Sequence, residues 1–200
     1  MSPSGLDQLE AALAAGQVVA VPTDTVYGLA VDPRSPGAVE RLFALKKRPG
    51  HSQLPVLIAD PTGLMDLAEP TATADRLISV YWPGPLTIVL VRRAAVSFDI
   101  GGDPSTIGLR CPSSPVLLEL LGRTGPLAVT SANHHGEPPL HTAGQVRRSF
   151  GKGVAAVLDG GRCDGTPSTV ISVRAGEVKC LREGAIPFSE IAELAAGTQP

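Results

Sequence analysis

The chain has 200 residues, 43% of them hydrophobic and 18% charged, with a formal net charge of −2. This is the composition of a soluble globular chain long enough for one sizeable core. It argues against disorder, and the acidic balance argues against a protein that coats nucleic acid through many phosphate contacts. Cys111, Cys163 and Cys180 are an odd number without metal-ligand spacing, which fits small buried thiols in a reducing compartment rather than a disulfide framework.

In chain order, Ser4 with Asp7 three residues on, followed by Leu6, Leu9, Leu13 and a closing Gly16, reads as a capped amphipathic helix. This N-terminus lacks a basic leader, and no apolar run reaches the roughly 18 residues that cross a bilayer, so a cytoplasmic protein with no membrane contact is expected. "QVVAV" (Gln17 to Val21) is a strand, and "VPTDTVYGLA" then crowds Thr23, Asp24, Thr25 and Tyr27 together where a plain reversal would use Gly, Asn or Pro. These side chains are expected to form one wall of a pocket. Ser35 and Pro36 open a second helix through Val39, Leu42 and Phe43 that runs to a basic end at Lys46, Lys47 and Arg48.

"PVLIA" (Pro55 to Ala59) and "LTIVLV" (Leu86 to Val91) are almost wholly apolar and are expected in the middle of the sheet. Between them lie short helical stretches near Leu64 to Ala68 and Ala72 to Val80, then the rigid turn "YWPGP". Strand "TIGLR", helix "SPVLLELLG", strand "PLAVT", helix "TAGQVRRSF", strands "AAVLD", "TVISV" and "VKCLR", and a helix from about Phe188 to Ala196 complete the chain. The alternation predicts one α/β domain over residues 1–200, with a mixed sheet and a C-terminal helix and tail over 187–200.

The phosphate loop, the dinucleotide-binding glycine pattern, the zinc-protease helix and the nucleophile elbow are all missing from the sequence. Instead, polar residues recur at strand ends: Thr23, Arg110, Ser131, Asn133, Ser168 and Arg182. In open α/β sheets ligands gather at strand carboxyl ends, so these residues, with Lys46 and Arg48, predict a cleft holding four cations. Singly, each has a plain structural alternative: the arginines in surface ion pairs, the basic run at a helix C-terminus, "SAN" as an ordinary turn. His134, His135 and His141 lack the thiolate or carboxylate partner a zinc site would want, so no metal ligands are assigned.

The motifs "PTDTVYGLAVDP", "LKKRP", "WPGPLT", "STIGLRCP", "TSAN", "GEPP", "PSTV" and "LREGAI" occur in this order from Pro22 to Ile186. The series resembles the YrdC/TsaC family of threonylcarbamoyl-AMP synthases, in its single-domain form, and the resemblance implies a catalytic core over about residues 9–186. The resemblance implies a twisted mixed sheet with flanking helices around one large, positively charged cleft. It implies a nucleotidyltransferase that makes threonylcarbamoyl-AMP and pyrophosphate from L-threonine, bicarbonate and ATP with Mg2+, for the threonylcarbamoyladenosine modification of tRNA. By the same resemblance Thr23, Tyr27, Arg110, Ser131 and Ser168 would hold threonine. Lys46, Arg48, Thr106, Asn133 and Arg182 would hold ATP, with Lys46, Arg48 and Arg182 serving the phosphoryl transfer.

The chain departs from the family pattern in carrying Ser52 where a lysine is frequent, His135 in "SANHHG" and Glu183 in "LREGAI". A downstream transferase complex would receive the product, through transient contact. Two other readings are a carbamoyl-adenylating module fed by carbamoyl phosphate and a module that binds double-stranded RNA weakly. The net acidity, with lysines only at Lys46, Lys47, Lys152 and Lys179, disfavours RNA binding as the main role.

Overall fold

The computed structural model describes residues 5–47 and 52–197. Ser4 and Arg48 lie outside the described residues. Among those described, nine strands form one mixed sheet in the order β7-β1-β2-β6-β3-β5-β4-β8-β9. Three neighbouring pairs, β1 with β7, β3 with β5 and β4 with β8, are parallel. The others are antiparallel.

The chain starts with α1 (Gly5–Ala14) and a hairpin of β1 (Val19–Pro22) and β2 (Tyr27–Val31), in which Pro22 stands opposite Tyr27. Sequence reading missed β2. It took "YGLA" as part of the turn, whereas only residues 23–26 turn and Tyr27 already sits in the sheet. Helix α2 (Ala38–Lys46) follows, starting two residues past the Ser35-Pro36 signal because Gly37, at φ 71°, makes the entry.

Strand β3 is only Val56–Leu57, shorter than the apolar run that marks it, but it holds the central place in the sheet. Next come α3 (Leu64–Leu67), α4 (Ala72–Tyr81) and β4 (Leu86–Val91), which lies between β5 and β8 rather than at the centre. Strand β5 (Thr106–Arg110), α5 (Pro115–Thr124), β6 (Leu127–Ser131) and α6 (Ala143–Phe150) lie close to their expected bounds. Thr142 and Gln145 start α6 with a reciprocal capping box. Edge strand β7 shrinks to Ala156–Val157, and β8 (Thr169–Arg174), β9 (Glu177–Arg182) and α7 (Phe188–Ala195) finish the fold.

Strand side chains alternate between faces, so the two faces of the sheet can be read from burial. One face, carrying Tyr27, Leu29, Val56, Ile88, Ile107 and Leu109, packs with Val39 and Leu42 of α2, Leu77 of α4, Val146 of α6 and Ile191 of α7 in the main core. On the other face α1 and α5 cover only the β1-β2-β6-β3 half. There Leu9, Leu13, Leu117, Leu120 and Leu121 bury Val19, Val21, Ala30, Leu127 and Val129. Each such side chain contributes roughly 1.5–3 kcal/mol, so the cover over this half is firmly held. No helix of this second cluster reaches the β5-β4-β8-β9 half, and the cavity opens over that half and its border with β3, β6 and β2.

Candidate functional site

A cavity of about 480 Å3 opens over that half of the sheet and extends onto Gly28, Leu57, Val129, Thr130 and Ser131 of the other, in the range of small-ligand sites. The crevice therefore runs across the sheet face, not outside the strand carboxyl ends. On β5 the residues Thr106, Gly108 and Arg110 line it, while Ile107 and Leu109 turn into the core behind. On β4 Thr87 and Val89 line it and Leu86, Ile88 and Leu90 turn away.

The hydroxyl-rich turn is partly self-contained. Thr23 Oγ1 donates to Val26 O at 2.7 Å, accepts from the Thr25 and Val26 N–H groups, and lies 2.9 Å from Thr25 Oγ1. It thus staples the turn while lining the cavity. Asp24 reaches outward to Arg110 Nη2 at 2.6 Å, a pair with side chains only 11% and 7% exposed. Arg110 Nε donates to Gly84 O at 2.9 Å, and Nη1 lies 3.5 Å from Thr25 Oγ1. A guanidinium has five N–H bonds. Those left on its terminal nitrogens face a cavity where a carboxylate could take them pairwise. Tyr27 lines the same wall, but its hydroxyl donates to Gly161 O at 2.9 Å and accepts from Gly160 N–H at 3.2 Å, so it anchors the residue 160–167 loop. That loop sits tightly on the turn: a Cβ on Gly165 would come within 2.8 Å of Thr25 Cα.

Across the cavity Arg182 Nη2 donates to Ser168 O at 2.6 Å and to Ser168 Oγ at 3.2 Å. Partial desolvation of the guanidinium, on a residue that stays exposed overall, and secondarily the charge of Arg110, lower its pKa. It remains a cation at neutral pH. Arg110 is already paired with Asp24, so an anion entering the cavity would meet Arg182 as the cation without a carboxylate partner among the described residues. Thr106 Oγ1 points back to Asp103 O at 3.3 Å, and Gln53 Nε2 ties Asp103 O at 3.0 Å to Thr106 O at 2.9 Å.

Lys46, one of the four cations expected in the lining, and Asn133, expected there as a polar contact, both stand outside it. The Lys46 ammonium, on a residue 2% exposed, donates to Ser131 O, to Asn133 O at 2.7 Å and to Asn133 Oδ1 at 3.0 Å. Asn133 Oδ1 also accepts from Ser131 Oγ at 2.6 Å, and its Nδ2 donates to His134 O at 3.0 Å and Glu137 O at 2.7 Å. Both residues stand behind Ser131 and shape its turn, outside the lining itself. Lys46 is thus drawn inward by turn carbonyls that need a donor, while Lys47 beside it stays exposed.

The Sua5/YciO/YrdC family model, described as telomere recombination, matches residues 11–184. The chain belongs to this family.

Among family relatives, a Mycobacterium tuberculosis protein named provisionally as a threonylcarbamoyl-AMP synthase is 36% identical over 192 residues, covering 95% of this chain and 88% of that protein. The threonylcarbamoyl-AMP synthase of Bacillus subtilis is 36% identical over 188 residues, covering 92% of this chain and 54% of that longer protein. Among solved structures, Pyrococcus abyssi Sua5 complexed with L-threonine superimposes with a TM-score of 0.87 at 35% identity, over 93% of this chain and 56% of that one. Escherichia coli YciO gives 0.86 at 25% identity over 95% of both chains.

Within this Sua5/YciO/YrdC family member, the residues drawn from separate motifs, Thr23, Tyr27, Thr106, Arg110, Ser131, Ser168 and Arg182, line one cavity. Thr25, expected with its turn in the pocket wall, lines it as well, whereas sequence reading did not assign Gln53, Thr87, Asp103 or Thr130, which line it too. Thr87 had a usable signal, as the one hydroxyl in the apolar run "LTIVLV". Gln53 and Asp103 had none, since they meet only through folding. Of the departures, Ser52 is half-buried, His135 N–H donates to Lys46 O at 3.0 Å, and Glu183 Oε1 accepts from Phe188 N–H at 3.0 Å at the start of α7. His134 packs on Phe150 with ring centroids 4.7 Å apart and His141 Nδ1 lies 2.5 Å from Cys163 O, so neither points at the cavity chemistry.

Proposed function

We propose that this protein is a threonylcarbamoyl-AMP synthase, a nucleotidyltransferase that joins L-threonine, bicarbonate and ATP and releases pyrophosphate. The observation that carries the reading is the meeting of Arg110, Arg182 and the hydroxyls of Thr106, Ser131 and Ser168 around one cavity. The relatives named for this activity, and the L-threonine complex of P. abyssi Sua5, support it. Arg110, held by Asp24 and Gly84, presents a fixed guanidinium edge for the amino-acid carboxylate. Ser131, Ser168 and the Thr23 turn supply hydroxyl contacts to the rest of the small polar substrate. Arg182, with Thr106, belongs to the nucleotide side, and Lys46 and Asn133 serve it through the turn they build.

The chemistry asks for positioning rather than a side-chain nucleophile. Bicarbonate takes up a proton and loses water to give carbon dioxide, and threonine's amine, as the free base, adds to it and loses a proton to give a carbamate. A carbamate oxygen then attacks the α-phosphorus of ATP, and the bond to pyrophosphate breaks as the new P–O bond forms. A carbamate is short-lived in water, so a recessed cavity extends its life. Mg2+ enters on this reading with the nucleotide as MgATP. The lining offers oxygen donors such as the Asp103 carboxylate, the kind this ion takes beside phosphate oxygens, and the ion would neutralise phosphate charge. Use of the product by a tRNA-modifying transferase complex and a cytoplasmic location belong to the same proposal. No helix among the described residues is long and apolar enough to cross a membrane.

The test is pyrophosphate release by purified protein with ATP, Mg2+, bicarbonate and single amino acids. Release that requires both threonine and bicarbonate is expected. Release that ignores threonine, or that appears only with carbamoyl phosphate, would overturn the reading. Arg110→Ala is expected to raise the threonine requirement by about 1.5–3 kcal/mol, the loss of one charged hydrogen-bonding partner.

A further inference from the structure

Beyond the residues assigned above, the hydroxyl of Thr87 has a peculiar place. Thr87 is 2% exposed, yet it lines the cavity from β4. Its Oγ1 lies 3.0 Å from Ser168 Oγ. Its methyl points the other way, so that a Cβ on Gly108 would lie 3.6 Å from Thr87 Cγ2. The pairing is fixed by backbone register, since Thr87 of β4 stands opposite Val170 of β8, two residues past Ser168.

A proton count follows. Ser168 Oγ already accepts a hydrogen bond from Arg182 Nη2 at 3.2 Å. The two hydroxyls bring two protons and share one hydrogen bond, so whichever donates, one proton has no protein acceptor among the described residues. When Thr87 donates, both lone pairs of Ser168 are filled, by Thr87 and by Arg182. The Ser168 proton must then point into the cavity. A buried donor with no acceptor is costly, so a ligand that brings an oxygen to this spot is favoured.

We infer that Thr87 is a positioning residue that fixes Ser168 as a hydrogen-bond donor to an oxygen of the amino-acid substrate, beside the Arg182 guanidinium. This rests on the function proposed above. It commits the substrate to an acceptor atom at that corner of the cavity, and it makes a residue inside an apolar strand part of substrate recognition.

The experiment measures L-threonine binding by calorimetry, and kcat and KM by pyrophosphate release, for the parent, Thr87→Val, Thr87→Ser, Ser168→Ala and the double variant Thr87→Val/Ser168→Ala. Thr87→Val keeps the branched shape that β4 wants and removes the hydroxyl. It is expected to weaken threonine binding roughly threefold to tenfold, the scale of one neutral hydrogen bond, with KM for threonine rising alike and kcat within about twofold. Thr87→Ser restores binding, and Thr87→Val adds nothing further on a Ser168→Ala background. Unchanged binding in Thr87→Val, equal weakness in Thr87→Ser, or a full additional loss in the double variant would each overturn the inference. A parent that binds no threonine would overturn it together with the proposed function, whereas a binding parent with an indifferent Thr87→Val would overturn the inference alone.

Discussion

At the scale of single residues, several side chains that look like ligand contacts in the sequence build the site from behind. Lys46 is the clearest case. Its ammonium is held by Ser131 O, Asn133 O and Asn133 Oδ1, which joins the end of α2 to the turn after β6. Replacing it by methionine keeps most of the stem and leaves buried acceptors without a donor, so Lys46→Met is expected to lower the unfolding free energy by about 2–3 kcal/mol. Urea denaturation checks this, and an unchanged midpoint would mean that the ammonium is not a fastener. A basic residue near a helix C-terminus is ordinarily exposed, so the sequence could not distinguish this lysine from Lys47. The same holds for Tyr27, whose phenol was legible as functional but whose partners, Gly160 and Gly161, lie far along the chain.

At the scale of elements, the alternation of β4 and β5 decides what the cavity floor is made of. Gly108 lies between Thr106 and Arg110 on the open face, and a Cβ there would meet Val89 Cγ2 at 3.5 Å and Thr87 Cγ2 at 3.6 Å, ordinary contact distances. A larger side chain would therefore be accommodated by the backbone but would stand in the cavity. Gly108→Leu is expected to abolish threonine-dependent pyrophosphate release while lowering the thermal midpoint by no more than a few degrees; retained turnover would mean that the floor is not where substrate lies. Strands "TIGLR" and "VKCLR" were legible because they are short runs bounded by turn residues. Strand β2 was not, because "YGLAV" follows its partner after only a four-residue turn, and the polar turn hides the break between them.

At the scale of the whole molecule, burial on both sides of the sheet leaves several acidic protons inside. Cys111, fully buried on the far side of Arg110, has its thiol pushed up to about 11 by burial, and Tyr27 and Cys163 move in the same direction for the same reason. The folded chain then keeps a proton that the unfolded chain gives up at the ordinary thiol value. Stability contributed by Cys111 is whole below pH 9 and is lost as pH rises through about 11, a change of at most about 3 kcal/mol. The thermal midpoint should fall between pH 9 and 11, and Cys111→Ala should flatten that fall; a midpoint constant over this range would contradict it.

The sequence by itself determined the class of fold, most of the elements, and a set of motif residues whose order points to one family, because periodicity, turn chemistry and short polar motifs are local properties of the chain. Only the tertiary structure decided that α1 and α5 cover part of one sheet face and leave the cavity beside them. It likewise decided that Asp24 neutralises Arg110, that Lys46 turns inward, and that Thr87 meets Ser168. Those outcomes depend on pairings between strands and helices distant in sequence, and the free energy of burying a charge or a hydroxyl is set by the partner it finds there, which no local pattern encodes.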